Sequence, residues 1–342
     1  MFDRLERERL EDLHLRRDPA TGLQAIIAIH NTRLGPALGG CRFIEYISDD
    51  AAITDAIRLA RGMSYKAALA NVPQGGGKAV IIRPSFIRDR SRLYRAFGHF
   101  VNDLGGRYIT AVDSGTTLAD MDEVADVTPH VSGTSRDGAD PSPITALGVF
   151  SGINAAVRHQ LDTGSMEGLR VAIQGVGNVG ASLARQLHEA GARLVVSDPD
   201  TARAGRCGDA YDAEVVSPDA IYDVPCDVFA PCGLGGVLNE KTIPRLQCRI
   251  VAGAANNQLA NDVQGAALHR AGILYAPDYV INAGGLIQVS LGYHKAPNSE
   301  VQHRTRALGD TLSELFERSR RENRPPEQIA NQRAEEILYG QG

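Results

Sequence analysis

The chain has 342 residues, of which 43% are hydrophobic and 23% charged, with a formal net charge of −5. That length suits two domains of ordinary size, and the acidic balance gives no basic footprint for nucleic acid or an anionic membrane. Apolar runs such as Ala25 to Ile29 fall far short of the roughly 18–20 residues a membrane helix needs, which excludes a helical membrane span. The start, Met1-Phe2-Asp3-Arg4-Leu5-Glu6, is charged and lacks a signal-peptide segment. Five cysteines (Cys41, Cys207, Cys226, Cys232 and Cys248) are scattered and never spaced as CxxC. They fit a reducing cytoplasm and predict neither a disulfide framework nor a metal site.

The first part of the chain mixes strands and helices. Gln24 to His30 reads as a buried strand, as do Ala79 to Ile82 and Tyr108 to Thr110. Ser48, followed by Asp49 and Asp50, caps a helix whose apolar face is Ile53, Ala56, Ile57 and Ala60, and Gly62 is expected to end it. A second helix is predicted from Arg92 to Leu104. The twelve residues from Ser132 to Pro143 are rich in Gly, Pro, Ser and Asp, and predict an inter-domain connection. Domains are therefore expected over 1–135 and 144–290.

Beyond the connection the pattern becomes strand–helix alternation. Val171-Ala172-Ile173, Leu194-Val195-Val196, Val228-Phe229-Ala230, Ile250-Val251-Ala252 and Ile273-Leu274-Tyr275 are short apolar strands, which predicts a parallel, doubly wound sheet. Residues from about 300 to 342 are charged and helical, with a break at Pro325-Pro326, and are expected to pack back on the first domain.

Gly175-Val176-Gly177-Asn178-Val179-Gly180 matches GxGxxG. The glycines permit a tight strand-to-helix turn, close approach of a pyrophosphate and close helix–strand packing. The motif alone is weak. Here a strand precedes it, a helix follows, and the next strand ends in Asp198, placed to hold the ribose 2′-hydroxyl of NAD and to repel a 2′-phosphate. Arg203 and Arg206 lie nearby and keep NADP open.

In the first domain Lys66, Lys78 and Asp113 stand out. Most lysines are solvated surface groups. Gly75-Gly76-Gly77 before Lys78 is unusual ahead of a buried strand, and close approach of a ligand to the backbone would explain it. A buried lysine can take a proton from an attacking water, a carboxylate can exchange protons with an amino nitrogen, and a second lysine can pair with a substrate carboxylate.

At these residues the chain resembles the leucine dehydrogenases, within the superfamily of glutamate, leucine, phenylalanine and valine dehydrogenases. The matching runs are Leu34 to Gly40, Gly62 to Lys66, Gly75 to Lys78, Asp113 with Gly115-Thr116, Gly175 to Gly180, Ala230 to Cys232, Gly253 to Asn257 and Ala276 to Gly285. The resemblance implies an α/β protein with a mixed-sheet catalytic domain, a Rossmann NAD-binding domain and a cleft between them. It also implies reversible oxidative deamination of an apolar L-amino acid to the 2-oxo acid and ammonia, by a homo-oligomer.

Site roles follow from the same resemblance. Lys78 would be the catalytic lysine and Asp113 its acid–base partner. Lys66 with Gly39 and Gly40 would hold the substrate carboxylate, with Asn257 assisting. Gly175, Val176, Gly177, Asn178, Val179, Gly180 and Asp198 would bind NAD, together with Ala230, Pro231, Cys232, Ala254, Asn256 and Asn282. Leu38, Ala111, Leu286 and Val289 would line the side-chain pocket. All four are apolar, so nothing among them would pair with the side-chain carboxylate of glutamate. Leucine and other branched chains lead, and phenylalanine or valine stays open. Cys41, Val112 and Leu286 depart from the usual threonine, acid and valine. A hydroxy-acid oxidoreductase would not need Lys66, and a non-catalytic dinucleotide-binding regulator of DNA would need a basic face.

Overall fold

Residues 2–137 and 140–340 are described in the computed structural model, so Gly138 and Ala139 of the expected connection lie outside the described residues. The described chain divides into two units. The first comprises 2–137, Val289–Pro297 and 334–340; the second comprises Asp140–Gln288 and Asn298–Arg333.

In the first unit the elements are α1 (Phe2–Arg7), β1 (Asp12–Asp18), β2 (Leu23–Asn31), β3 (Ala37–Ile44), α2 (Asp49–Leu69), β4 (Gly75–Ile82), α3 (Arg90–Asn102), β5 (Tyr108–Val112) and α4 (Leu118–Ala125). The five strands form a mixed sheet in the order β1-β2-β4-β3-β5. Strands β1 and β4 run antiparallel to β2, whereas β3 runs parallel to both β4 and β5. Side chains alternate across the sheet. Ala37, Cys41, Phe43, Ala79, Ile81 and Tyr108 pack against α3 and α4 on one face, while Ile26, Ala28 and Val80 meet Ala52, Ala56 and Ile57 of α2 on the other.

Two sequence expectations need correction here. Helix α2 does not stop at Gly62 but continues to Leu69, because Ser64, Tyr65, Ala67, Ala68 and Leu69 carry the buried face onward. An exposed glycine inside a helix costs only about 1 kcal/mol, which that burial offsets. Gly75, Gly76 and Gly77 are not a turn but the first residues of β4. They lie under a crossing helix: a Cβ on Gly76 would stand 2.0 Å from Ser64 N of α2, and one on Gly75 would stand 1.9 Å from Asn31 O. The close approach that requires glycine is made by the protein's own backbone.

The second unit contains α5 (Ser142–Leu161), β6 (Arg170–Gln174), α6 (Asn178–Glu189), β7 (Arg193–Ser197), α7 (Thr201–Tyr211), β8 (Glu214–Val215), β9 (Val228–Pro231), β10 (Ile250–Val251), α8 (Val263–Arg270), β11 (Leu274–Tyr275), α9 (Asp278–Ile281), the start of α10 (Gly284–Tyr293), α11 (Asn298–Arg306), α12 (Leu308–Glu322) and the start of α13 (Pro326–Tyr339). Its six strands lie in the order β11-β10-β9-β6-β7-β8, and every pairing is parallel.

The C-terminal segment also differs from expectation. Helices α11 and α12 belong to the second unit and pack on α5, where Gly148 and Gly152 leave room for Leu308 and Leu312. Only 334–340 joins the first unit, where Tyr65 donates to Glu335 at 2.6 Å and the Tyr339 hydroxyl meets His30 Nε2 at 3.3 Å. Val289 and Ser290 also join the first unit rather than the second. No described helix is long and apolar enough to cross a membrane.

Candidate active site

Period-2 alternation puts Leu38, Gly40 and Arg42 of β3, Gly76 and Lys78 of β4, and Ala111 of β5 on the sheet face that carries α2. The β3–β4 pairing joins Leu38 to Gly76 and resumes at Cys41 with Ala79. Gly39 and Gly40 fill that lapse. A Cβ on Gly39 would lie 1.8 Å from Gly77 O, and one on Gly40 would lie 2.7 Å from the Asp113 Cβ. Gly39 thus lets β3 lie close to β4, and Gly40 lets Asp113, just past β5, come over the sheet.

Lys78 Nζ stands 2.5 Å from Asp113 Oδ2, and the lysine is only 5% exposed. Arg42 Nε reaches the same oxygen at 3.4 Å, while its other arm pairs with Asp55 at 2.8 Å. Tyr46 donates to Asp55, and Arg58 pairs with it from the next turn of α2. Burial pushes the Asp113 carboxyl upward, but the Lys78 and Arg42 charges, with a hydrogen bond from Ser114 N–H, hold it below the usual carboxylate range. The Asp113 loop is itself fastened. Its N–H donates to Thr116 Oγ1, and Gly115 takes φ +83° where a side chain would run into Phe43 O.

Lys66 lies in the last turn of α2, half-buried and two residues beyond Ser64. Leu38 and Ala111 are buried beside one another's strands, whereas Leu286 lies in the second unit. Three groups that sequence reading did not single out also shape the first-unit site. Arg42 is one. Gln74, fully buried just before Gly75, is another: it accepts from Ser290 and donates to His294 Nε2 at 2.8 Å. Ser132 is the third, donating to the Val289 carbonyl at 3.1 Å. A charged residue inside a strand of small residues and a lone Gln beside a glycine run were the available signals.

In the second unit the strand order reverses between β6 and β9, and the turn after β6 is Gly175 to Gly180. Gly175 takes φ +91°, and its Cβ would strike Gly233 N at 2.7 Å. Gly180 lies against Gly175 O, where a Cβ would stand at 2.0 Å. Gly177 differs: a Cβ there would meet nothing within 4 Å. Asn178 and Val179 open α6, whose Gly177 N-cap provides no side-chain hydrogen bond. The first turn of that helix thus starts at a glycine with open space beside it.

Asp198 is 5% exposed. It accepts from Val176 N–H at 2.9 Å and Asp200 N–H at 2.9 Å, with Arg203 at 3.3 Å. Ala230 and Pro231 close β9, and Cys232 N donates to Gln174 O, joining the neighbouring strand ends. Asn282 donates to Ala254 O at 3.1 Å and to Asn256 Oδ1 at 2.8 Å, while Asn257 N donates to Asp278 at 2.5 Å. The Asn282 Oδ1 atom is buried and has no protein partner. An open glycine at a helix N-terminus, a carboxylate at the end of the second strand and an unpaired amide oxygen suit a dinucleotide.

A sheet that aligns a buried lysine with a carboxylate, and a separate parallel sheet with a dinucleotide turn, define a pyridine-nucleotide dehydrogenase. Comparison with known proteins narrows this class. Residues 10–130 match the family model described as Glu/Leu/Phe/Val dehydrogenase, dimerisation domain. Residues 139–203 and 200–305 match that of Glutamate/Leucine/Phenylalanine/Valine dehydrogenase. A leucine dehydrogenase of Thermoactinomyces intermedius is 46% identical over 99% of this chain and 93% of its own length. An L-tryptophan dehydrogenase of Nostoc punctiforme is 48% identical over 92% of this chain and 90% of its own. The crystal structure of the Nostoc punctiforme L-tryptophan dehydrogenase superposes with a TM-score of 0.92 over 99% of this chain and 98% of that one, at 43% identity. The chain belongs to the Glu/Leu/Phe/Val dehydrogenase family, amino-acid dehydrogenases that use a nicotinamide dinucleotide.

Proposed function

We propose that the protein catalyses the reversible, NAD-dependent oxidative deamination of an apolar L-amino acid, with leucine and other branched chains preferred, giving the 2-oxo acid and ammonia. The observation that carries this reading is the pair of buried Lys78 and half-buried Asp113 on the sheet face that also bears Leu38 and Ala111. When bound in the second unit, a nicotinamide would supply the hydride acceptor for the substrate Cα. Lys78 takes a proton from the water that attacks the resulting imine, and Asp113 exchanges protons with the amino nitrogen. Arg42 also reaches Asp113 Oδ2, which gives the carboxylate a second cationic neighbour. Lys66, with the Gly39 and Gly40 backbone, receives the substrate carboxylate, and Asn257 assists.

The first unit supplies this chemistry and the second holds the cofactor. Gly175 to Gly180 would hold the pyrophosphate, while Ala230 to Cys232, Ala254, Asn256 and Asn282 would border the nicotinamide end. Asp198 favours NAD, since its carboxylate would repel a 2′-phosphate, although Arg203 offsets part of that charge. Leu38, Ala111 and Val289 of the first unit would meet the substrate side chain. None carries a charge, so glutamate would bury an unpaired carboxylate. The working form is a homo-oligomer, and its free thiols suit the cytoplasm.

The direct test is a set of initial rates of cofactor reduction with L-leucine, L-isoleucine, L-valine, L-phenylalanine, L-tryptophan and L-glutamate, each with NAD and with NADP. Branched chains with NAD should give the highest kcat/KM, and glutamate should give none. An aromatic substrate in first place would overturn the branched-chain assignment. Turnover of 2-hydroxy acids without turnover of amino acids would overturn the reaction.

A further inference from the structure

The two half-buried cysteines at the N-terminal edge of the second unit's sheet stand in register. Pro225 bridges Gln247 in parallel, and Val228 pairs with Ile250 on β9 and β10. Cys226 N donates to Gln247 O at 3.0 Å. The same offset places Cys226 directly opposite Cys248. Neighbouring strands lie about 4.8 Å apart, inside the Cα range of roughly 4.4–6.8 Å that a disulfide spans. Opposite residues of a parallel pair point to the same face. Both side chains lie on the margin of the cluster formed by Phe229, Leu268 and Tyr275.

We propose that Cys226 and Cys248 are a redox modification site, a dithiol that a peroxide converts to a reversible disulfide. The chemistry is separate from deamination. Cys226 is the attacking sulfur. The neighbouring Cys248 holds the Cys226 thiol below its ordinary value despite burial and the Asp227 charge, while Cys248 is pushed up. The Cys226 sulfur attacks one peroxide oxygen, forming an S–O bond as the O–O bond breaks, and the departing hydroxide leaves as water. Cys248 then attacks the Cys226 sulfenic acid, the S–S bond forms as the S–O bond breaks, and a second water carries away the Cys248 proton. Two thiols lose two electrons and two protons, and one peroxide becomes two waters. The other three cysteines are poor competitors. Burial pushes the thiol up in each, to about 11 in Cys207, to about 12 in Cys232, and well above the ordinary value in Cys41.

The test uses the reduced full-length protein, treated with hydrogen peroxide and then alkylated in denaturant. Alkylatable thiols should fall from five to three. Non-reducing peptide mapping should show one cross-link, between the Cys226 and Cys248 peptides, and dithiothreitol should restore all five thiols. In Cys226→Ser and in Cys248→Ser the cross-link should vanish. Should either variant fail to fold, the wild-type map decides alone. Oxidation to sulfinic acid without a cross-link, intermolecular bridges, or a cross-link through any other cysteine would overturn the proposal. None of these readouts depends on catalytic turnover.

Discussion

Gly76 in the first unit and Gly177 in the second both stand where sequence reading expected a ligand to approach the backbone, yet their surroundings are opposite. A methyl group added to Gly76 would lie 2.0 Å from Ser64 N of helix α2; on Gly177 it would meet no protein atom within 4 Å. One glycine lets two elements of the protein touch, and the other leaves space beside a helix N-terminus. A glycine-rich run therefore reports crowding of the backbone without saying by what, and only the packing around each residue decides.

Two acids, half-buried Asp113 of the first unit and buried Glu327 of the second, differ in the same way. Asp113 is held ionised by Lys78 and Arg42. Glu327, at the start of α13, has both carboxylate oxygens buried without a partner, beside Gly265. Burial raises its carboxyl to about 7. Asp113 keeps its charge beside two cations, whereas Glu327, unlike Asp198 of the same unit with its Arg203 partner, is left to protonate.

The sharpest way to break the glycine contrast is to make the same substitution twice. Gly76→Ala should destabilise the protein by about 3 kcal/mol or more, because neither backbone can yield, and thermal unfolding would show it. Gly177→Ala should leave the unfolding temperature near that of the parent and weaken dinucleotide binding, read by titration calorimetry. Equal thermal effects would end the distinction.

Asp113→Asn tests the paired acid. It removes the charge shared by Lys78 and Arg42 and should lower kcat roughly 10²–10⁴-fold with the far-ultraviolet circular dichroism unchanged. A loss smaller than threefold would mean that the pair is structural.

Glu327→Gln tests the unpaired one. The folded-state value lies above the unfolded one, so the stability tied to the bound proton is complete at low pH and is lost as pH rises through about 7. The amide cannot ionise and escapes that loss. The variant should be more stable than the parent at pH 8 by on the order of 2 kcal/mol and no more stable near pH 4.5. A pH-independent difference in melting temperature would rule out the buried proton.

These contrasts also explain what could be read ahead of the structure. The strands β6, β7 and β9 of the second unit are short runs buried on both faces and flanked by helices, so their apolar character survives as an unbroken signal. The family resemblance adds the residues around them. In the first unit β1 is an edge strand with no fully buried face, and β3 carries two glycines and Arg42, so neither shows an unbroken apolar signal in the sequence. Gly62 looked like a helix end because a glycine's local cost is visible and the later burial of Tyr65 and Leu69 is not. Arg42 and Gln74 act through partners at 71 and 216 residues' separation, Asp113 and Ser290, and no local pattern encodes such pairings. The return of 334–340 to the first unit rests on Glu335 and Tyr339 meeting Tyr65 and His30, again a matter of distant partners.

The central claim is that chemistry resides in the first unit at Lys78 and cofactor binding in the second. The most direct measurement is the amino-acid-dependent kcat of Lys78→Ala beside its dissociation constant for NAD. The account predicts a fall in kcat of about 10³-fold or more with NAD affinity essentially unchanged. Near-normal turnover, or loss of turnover only in step with loss of NAD binding, would contradict it.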